Sequence, residues 1–269
     1  MKLGFWSPYN RISGTSSNAL AIANELANEK YLKTVIVQLD VNYFDEIVRE
    51  RKHLSNEAEM LINHIYQKAI DDEYRTKMNM EKGVIHDACI TLWCHRLFYL
   101  PCYFTDNEHV LIDMLGDMLE LLEKHFDCVI LDIPSGRSQL SLRALSLADK
   151  VMINIPQSKK KLDEYLHDPC IKQDKAYYLI GKYDPNSINS CNNFKRSYAQ
   201  MKESILGYVL YNTEFGDRCD NNSMVAFFVG NNREYMEEDD TIYTFVTSVS
   251  NISQLLYGIC DFNKKKIHF

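Results

Sequence analysis

Glycine is scarce, with 10 residues in a chain of 269. Loops that wrap phosphate draw on glycine, because backbone N–H groups must come close to the anion and several positions take left-handed conformations. Any such loop here is therefore built largely from other residues. No strand-like run is followed by G-x-G-x-x-G, which sets aside a dinucleotide-binding oxidoreductase. The eight cysteines (Cys89, Cys94, Cys102, Cys128, Cys170, Cys191, Cys219 and Cys260) include no C-x-x-C pair. Several lie inside apolar runs and read as buried free thiols of a reducing compartment. His95 stands beside Cys94, but no second cluster has zinc-like spacing. No apolar run reaches the ~18 residues of a membrane-spanning helix. The apolar stretch in the opening MKLGFWSP is shorter than a signal-peptide core, so a cytoplasmic location is expected. Internal repeats and low-complexity tracts are absent. Positive charge is in deficit: the formal net charge is −7 and the pI about 5.6. That balance argues against a broad nucleic-acid-binding surface and leaves room only for a local patch.

What is present is an ordinary globular composition, 46% hydrophobic and 25% charged, enough for a large core in one domain spanning residues 1–269. Short apolar strands alternate with helix-like segments. Strands are expected at Leu3–Trp6, Thr34–Leu39, Leu97–Leu100 (stopped by Pro101), Cys128–Ile133, Val151–Ile155, Ala176–Ile180 and Ile205–Leu210. Helices are expected at Ser16–Glu29, Asn107–His125, Gln139–Leu147, Lys159–Leu166 and Asp240–Ile259, each from apolar residues at helical spacing. Residues 42–95 are charged and read as helical. The alternation implies an α/β fold, a mostly parallel sheet of about seven strands with helices on both faces. In such sheets ligands bind at the carboxyl ends of the strands, so the informative residues are those that follow strands.

After Trp6 the chain reads Ser7-Pro8-Tyr9-Asn10-Arg11-Ile12-Ser13-Gly14-Thr15-Ser16-Ser17-Asn18 and enters a helix. A strand, a loop and a helix N-terminus make an anion site, because free N–H groups and the helix dipole both face the loop. Set on the P-loop pattern G-x-x-x-x-G-K-[ST], Gly14 matches the second glycine and Ser16 the magnesium-binding hydroxyl. Tyr9 falls on the first glycine, and Thr15 on the lysine. Taken alone, Gly-Thr-Ser-Ser is equally a good helix N-cap.

Two acidic residues end buried strands. FDCVILDIPSG runs from an apolar strand into Asp132, where a carboxylate can hold Mg²⁺ opposite phosphates; the alternative is a cap for the next turn. Asp40 ends VIVQLD, either as a turn residue or as a group that orients water or contacts the metal.

Together these residues resemble the ParA/MinD superfamily of deviant Walker ATPases, whose first loop typically reads S-P-K-G-G-V-G-K-T-T. SPYNRISGTSSNALAIANELA follows that frame. Gln38-Leu39-Asp40 stands at the family's D-x-D, and FDCVILDIPSG at its Walker B stretch. LRALSLADKVMINIPQS, YYLIGKYDP and ILGYVLYN follow the family's later strands in order, over residues 1 to about 260. Residues 45–95 match least. The Ser-Pro start and Gly-Thr-Ser-Ser look most like the TadZ/CpaE branch, linked to pilus assembly and polar localisation, without that branch's N-terminal receiver-like domain.

The resemblance implies ATP with Mg²⁺, bound by residues Asn10, Arg11, Ile12, Ser13, Gly14, Thr15, Ser16 and Ser17 of the loop and by Lys182 and Tyr211 at the ends of the later strands. It implies Ser16 and Asp132 on the metal, and Asp40 near the attacking water. It also implies a face-to-face homodimer, and partners in a pilus, secretion or DNA-partition system. Both family lysines are missing, one replaced by Thr15 and the dimer-crossing one by Asn10. Arg11 is the candidate replacement, in cis or across a dimer. Each lost charge-assisted contact costs about 1.5–3 kcal/mol of binding and roughly 10²–10³ in rate. Weak or absent hydrolysis is expected, with at most a slow ATPase. A nucleotide-free adaptor that keeps the fold as a docking scaffold is the alternative. Lys159-Lys160-Lys161 reads as a solvated charge run or a local contact for DNA or acidic lipid. The tail around Lys264-Lys265-Lys266 is a candidate for peripheral membrane contact. The run Glu237-Glu238-Asp239-Asp240 is expected to cap the last helix.

Overall fold

The computed structural model describes residues 1–39, 89–101, 108–221, 223–231, 240–260 and 262. Eight strands form one sheet: β1 (Lys2–Trp6), β2 (Thr34–Gln38), β3 (Ile90–Trp93), β4 (Leu97–Pro101), β5 (Cys128–Asp132), β6 (Lys150–Ile155), β7 (Ala176–Tyr183) and β8 (Ile205–Leu210). Their order is β3-β4-β2-β5-β1-β6-β7-β8. All pairings are parallel except β3 with β4. The helices are α1 (Thr15–Asn28), α2 (Glu108–His125), α3 (Gln139–Leu147), α4 (Lys159–His167), α5 (Cys191–Ser197), α6 (Thr213–Asp220), α7 (Met224–Gly230) and α8 (Thr241–Ile259).

The central strands are apolar on both faces, as parallel strands covered on two sides must be. Alternation along them splits the core in two. Trp6, Val35, Val37, Val129 and Leu131 pack under α2, α3, α4 and α5. Leu3, Phe5, Ile36, Cys128 and Ile130 pack under α1, α6, α7 and α8. The chain leaves β1 toward β2 through α1, but leaves β5 in the opposite direction, through α3 to β6 on the far side of β1. Connections that leave neighbouring strands in opposite directions open a crevice at their carboxyl ends. Here that crevice lies between β1 and β5, above the loop after Trp6 and above Asp132.

The structure corrects the expected segments in three places. Residues 90–93 were expected to be helical within 42–95, but form β3, which turns through Cys94 and His95 (φ 39° and 56°) and pairs antiparallel with β4. Ile90 and Leu92 are apolar residues at a period of two that the charged sequence around them obscures. This strand brings the count to eight. Pro101 does not stop β4 short but is its last residue, paired with Gln38, a strand-end position where a missing N–H is tolerated. β7 runs three residues past the expected end at Ile180, to Tyr183. Helices α5, α6 and α7 carry no long periodic pattern and were not expected. The rest of the 42–95 segment, Asp40, Cys102, Glu237 to Asp239 and the lysines of the tail lie outside the described residues. Asp240 does cap α8, its carboxylate accepting from Ile242 N–H at 2.6 Å.

Five of the seven described cysteines are buried, Cys170 is half-buried and Cys94 is exposed. Burial pushes the Cys89 thiol up to about 12 and Cys128 higher still, which keeps both protonated and unreactive.

Candidate functional site

The loop after β1 is shaped by its own hydroxyls. Ser7 and Ser13 are fully buried, and Ser13 Oγ donates to Ser7 Oγ at 2.8 Å. Ser7 Oγ also accepts from Tyr9 N–H at 3.1 Å, and Ser13 Oγ lies 3.3 Å from Thr15 Oγ1. Three hydroxyls thus form a chain centred on Ser13 where a glycine-rich loop would rely on backbone alone. Tyr9, in place of the first glycine, points its ring away to α4: its hydroxyl donates to the Lys161 carbonyl at 2.5 Å, and the Lys161 ammonium lies over its ring. Burial and the nearby Glu164 carboxylate raise the Tyr9 phenol. The second strand end is fastened to the same loop, with Gly136 N–H donating to the Ser7 carbonyl at 3.0 Å and Trp6 Nε1–H donating to the Gly136 carbonyl at 2.8 Å.

Gly14 is the N-cap of α1 in a left-handed conformation, φ 63°, and no side chain caps the helix. The N-cap that the sequence allowed in Gly-Thr-Ser-Ser thus falls on its glycine. By contrast α3, α4, α5, α6 and α8 are each capped by a side chain, from Ser138, Ser158, Ser190, Asn212 and Asp240. The positive end of the α1 dipole lies beside this glycine cap. Ser16 is buried one residue into the helix. Asp132, the last residue of β5, sits beside Phe5 on one side and Gln38 on the other, 2% exposed.

The loop rests on β7. A Cβ built on Gly181 would stand 1.8 Å from the Ser13 carbonyl oxygen, so only glycine lets strand and loop meet. Beneath the contact, Asn18 Nδ2 donates to Asn154 Oδ1 at 2.8 Å, and Asn154 Nδ2 donates to the Met152 carbonyl at 3.1 Å, both bonds buried. Asn18, Asn154 and Gly181 were not singled out from the sequence. A polar residue inside KVMINI and a glycine inside AYYLIGKY were the available signals, since a lone glycine in a strand marks a close approach or a bulge.

Of the expected site residues, Ser13 and Gly14 precede α1, Thr15 and Ser16 open it, the Lys182 stem lies beside Gly14, and Asp132 ends β5. Asn10, Arg11 and Ile12 form an exposed tip, with Arg11 at φ 58°. Tyr211 is exposed just past β8, its N–H donating to the Tyr183 carbonyl at 3.0 Å. Lys161 pairs with Glu164 at 2.8 Å and Lys159 Nζ donates to Ser197 Oγ at 2.7 Å, so two of the three lysines at α4 are engaged on the surface. No group of three or more His, Cys, Asp or Glu residues that could hold a metal occurs among the described residues. The Ser16 hydroxyl and Asp132 carboxylate are, however, the hard oxygen donors that Mg²⁺ takes when phosphate and water complete its shell. The donor chemistry fits that ion, and the positive end of the α1 dipole beside Gly14 fits an anion.

No family model matches the chain, and comparison with curated protein sequences gives no match. Solved structures do resemble it. A ParA family ATPase from Chlorobium tepidum superposes with a TM-score of 0.62 at 13% identity, over 94% of this chain and 98% of that one. The fold is that of the ParA and MinD ATPases. A putative plasmid partition protein from Borrelia burgdorferi, solved with AMPPNP, gives 0.59 at 16% identity, over 96% and 98%. The septum site-determining protein MinD from Pyrococcus horikoshii, solved with Mg-ADP, gives 0.58 at 12% identity, over 99% and 100%. At these identities the ParA/MinD likeness is one of fold, carried over nearly the whole of both chains. No helix among the described residues is long and apolar enough to cross a membrane.

Proposed function

We propose that the chain is a ParA/MinD-type protein that binds ATP with Mg²⁺ at the loop between β1 and α1, and acts as a positioning or assembly factor for a pilus, a secretion apparatus or a DNA-partition system. The observation that carries this reading is the N-terminus of α1, capped by the left-handed Gly14 with no side-chain hydrogen bond, where connections from the neighbouring strands β1 and β5 run in opposite directions. The AMPPNP and Mg-ADP of two fold neighbours support the choice of ligand.

Backbone N–H groups of the loop and the positive end of the α1 dipole hold the phosphates. Ser16 and Asp132 would hold the metal, which supplies charge neutralisation and Lewis acidity to the phosphate oxygens when bound. Asp40 keeps the expected role near the attacking water. Thr15 and Asn10 in the two lysine positions make hydrolysis slow, since each lost charge contact costs roughly 10²–10³ in rate. Slow turnover suits a switch whose bound state persists while partners are recruited.

Loss of both lysines equally favours a second reading, a nucleotide-free adaptor that keeps the fold as a docking scaffold. Sedimentation velocity separates the two. Under the first reading ATP·Mg²⁺ shifts the protein from monomer to dimer, and Asp132→Asn abolishes the shift. An unchanged sedimentation coefficient at millimolar ATP, with wild-type and variant alike, supports the adaptor.

A further inference from the structure

The crevice is short of positive charge because of Thr15 and Asn10, yet a lysine reaches it from another strand. Lys182 follows Gly181 in β7. Between Ile180 and Tyr183 the pairing with β8 shifts register: Ile180 faces Tyr208 and Tyr183 faces Leu210. Three steps along β7 thus match two along β8, the mark of a bulge carrying one extra residue. Lys182 takes up that residue in a left-handed conformation, φ 50°, which a lysine adopts only where its surroundings impose it. Bulges re-aim side chains beside functional sites. Here the Cγ and Cε of Lys182 come within 3.4 and 3.6 Å of the point that a Cβ on Gly14 would occupy. The stem therefore lies along the loop at the residue preceding Thr15, with the ammonium one bond beyond a Cε that lies beside Gly14.

Two other cations near the crevice are committed elsewhere, and Arg11 sits on the exposed loop tip. Lys161 pairs with Glu164 and covers Tyr9, and Arg137 pairs with Asp168 at 2.6 Å. The Lys182 side chain makes no ion pair among the described residues, which leaves its ammonium available to a ligand.

We infer that Lys182 supplies, from β7 and in cis, the phosphate-binding positive charge that Thr15 does not. The bulge at Gly181–Lys182 and the bare Cα of Gly14 are the two features that let a stem from another strand lie on the loop. The inference rests on the proposed nucleotide site and gives this residue a defined partner in it, the phosphate chain rather than the base or ribose.

The test is thermal stabilisation of the full chain by ATP·Mg²⁺ and, separately, by inorganic tripolyphosphate, for wild-type, Lys182→Gln and Lys182→Arg. Expected is a loss of about 10- to 100-fold in apparent affinity for both ligands in Lys182→Gln, with most of it kept in Lys182→Arg. Thr15→Lys added to Lys182→Gln is expected to return it, since a lysine in the ordinary P-loop position replaces the same charge. Equal affinities in wild-type and Lys182→Gln would overturn the inference and leave the ATP reading standing. Loss for ATP without loss for tripolyphosphate would also overturn it, by placing Lys182 on the base or ribose. Lys182-dependent stabilisation by tripolyphosphate with none by ATP would uphold it while removing ATP as the ligand. Stabilisation by neither ligand would overturn both.

Discussion

Gly181 of β7 and Ser13 of the loop after β1 meet backbone to backbone, so closely that a Cβ at 181 would stand 1.8 Å from the Ser13 carbonyl oxygen. The loop takes its height above the sheet from this contact. Gly181→Ala must push loop and strand apart, because the obstructing atom is backbone and cannot rotate away. The expected cost is about 1–3 kcal/mol of folding stability, the range for overpacking a tight contact, measured by urea denaturation. Nucleotide affinity should fall with it. A stable Gly181→Ala protein with full affinity would show that the loop does not rest on β7.

Asn18 and Asn154 form the polar joint below that contact, and neither side chain has access to water. Replacing one leaves the other's amide buried without its partner, so Asn18→Leu and Asn154→Leu should each cost roughly 1–3 kcal/mol. The double variant removes both polar groups, and its cost should be smaller than the sum of the single costs. A double-mutant cycle by denaturant unfolding reads this coupling directly; strict additivity would mean that the two amides act independently.

How much of this was legible beforehand follows from what each residue does. Strands such as CVILD and KVMINI and the helix EHVLIDMLGDMLELLEKH are set by local pattern, and they appear within a residue or two of where that pattern puts them. α5, α6 and α7 are short and owe their existence to caps at Ser190 and Asn212 and to packing of Phe194, Phe215 and Phe227, which periodicity over seven or eight residues does not reveal. Gly14 and Ser16 were readable because the P-loop frame is contiguous in sequence. The Lys182–Gly14 approach was not, since the two residues are far apart in the chain and meet through sheet order and a bulge. The same holds for Asn18 with Asn154. Tyr9 in a glycine position looked like damage to the loop, but its hydroxyl bonds to α4, so the ring is an anchor.

A second cluster, on the amino side of the sheet, contributes to acid stability. Glu123 accepts from Lys2 Nζ at 2.5 Å and from the amino group of Met1 at 2.9 Å. Burial pushes the Glu123 carboxyl up, but the hydrogen bonds and charges of Lys2 and the amino group outweigh it and hold it at about 2. In the unfolded chain the same carboxyl titrates near ~4.3. A folded value below the unfolded one means that the stabilisation is fully present above the unfolded value and drains away as pH falls toward the folded one. Glu123→Gln should therefore be less stable than wild-type at pH 7, and the gap should close between about pH 4.5 and 2. Chemical unfolding at a series of pH values checks this; a gap that persists at pH 2 would contradict it.

Arg11 and Asp132 test the site as a working whole, because one is an exposed residue of the loop tip at φ 58° and the other a buried strand end 2% exposed. Calorimetric titration with ATP·Mg²⁺ of the wild-type chain, Arg11→Ala and Asp132→Asn is the decisive measurement. Saturable binding by wild-type is expected, weakened about tenfold or more in each variant by loss of a charge-assisted contact. No heat of binding at millimolar nucleotide, or binding that neither variant weakens, would contradict a nucleotide site between β1 and α1.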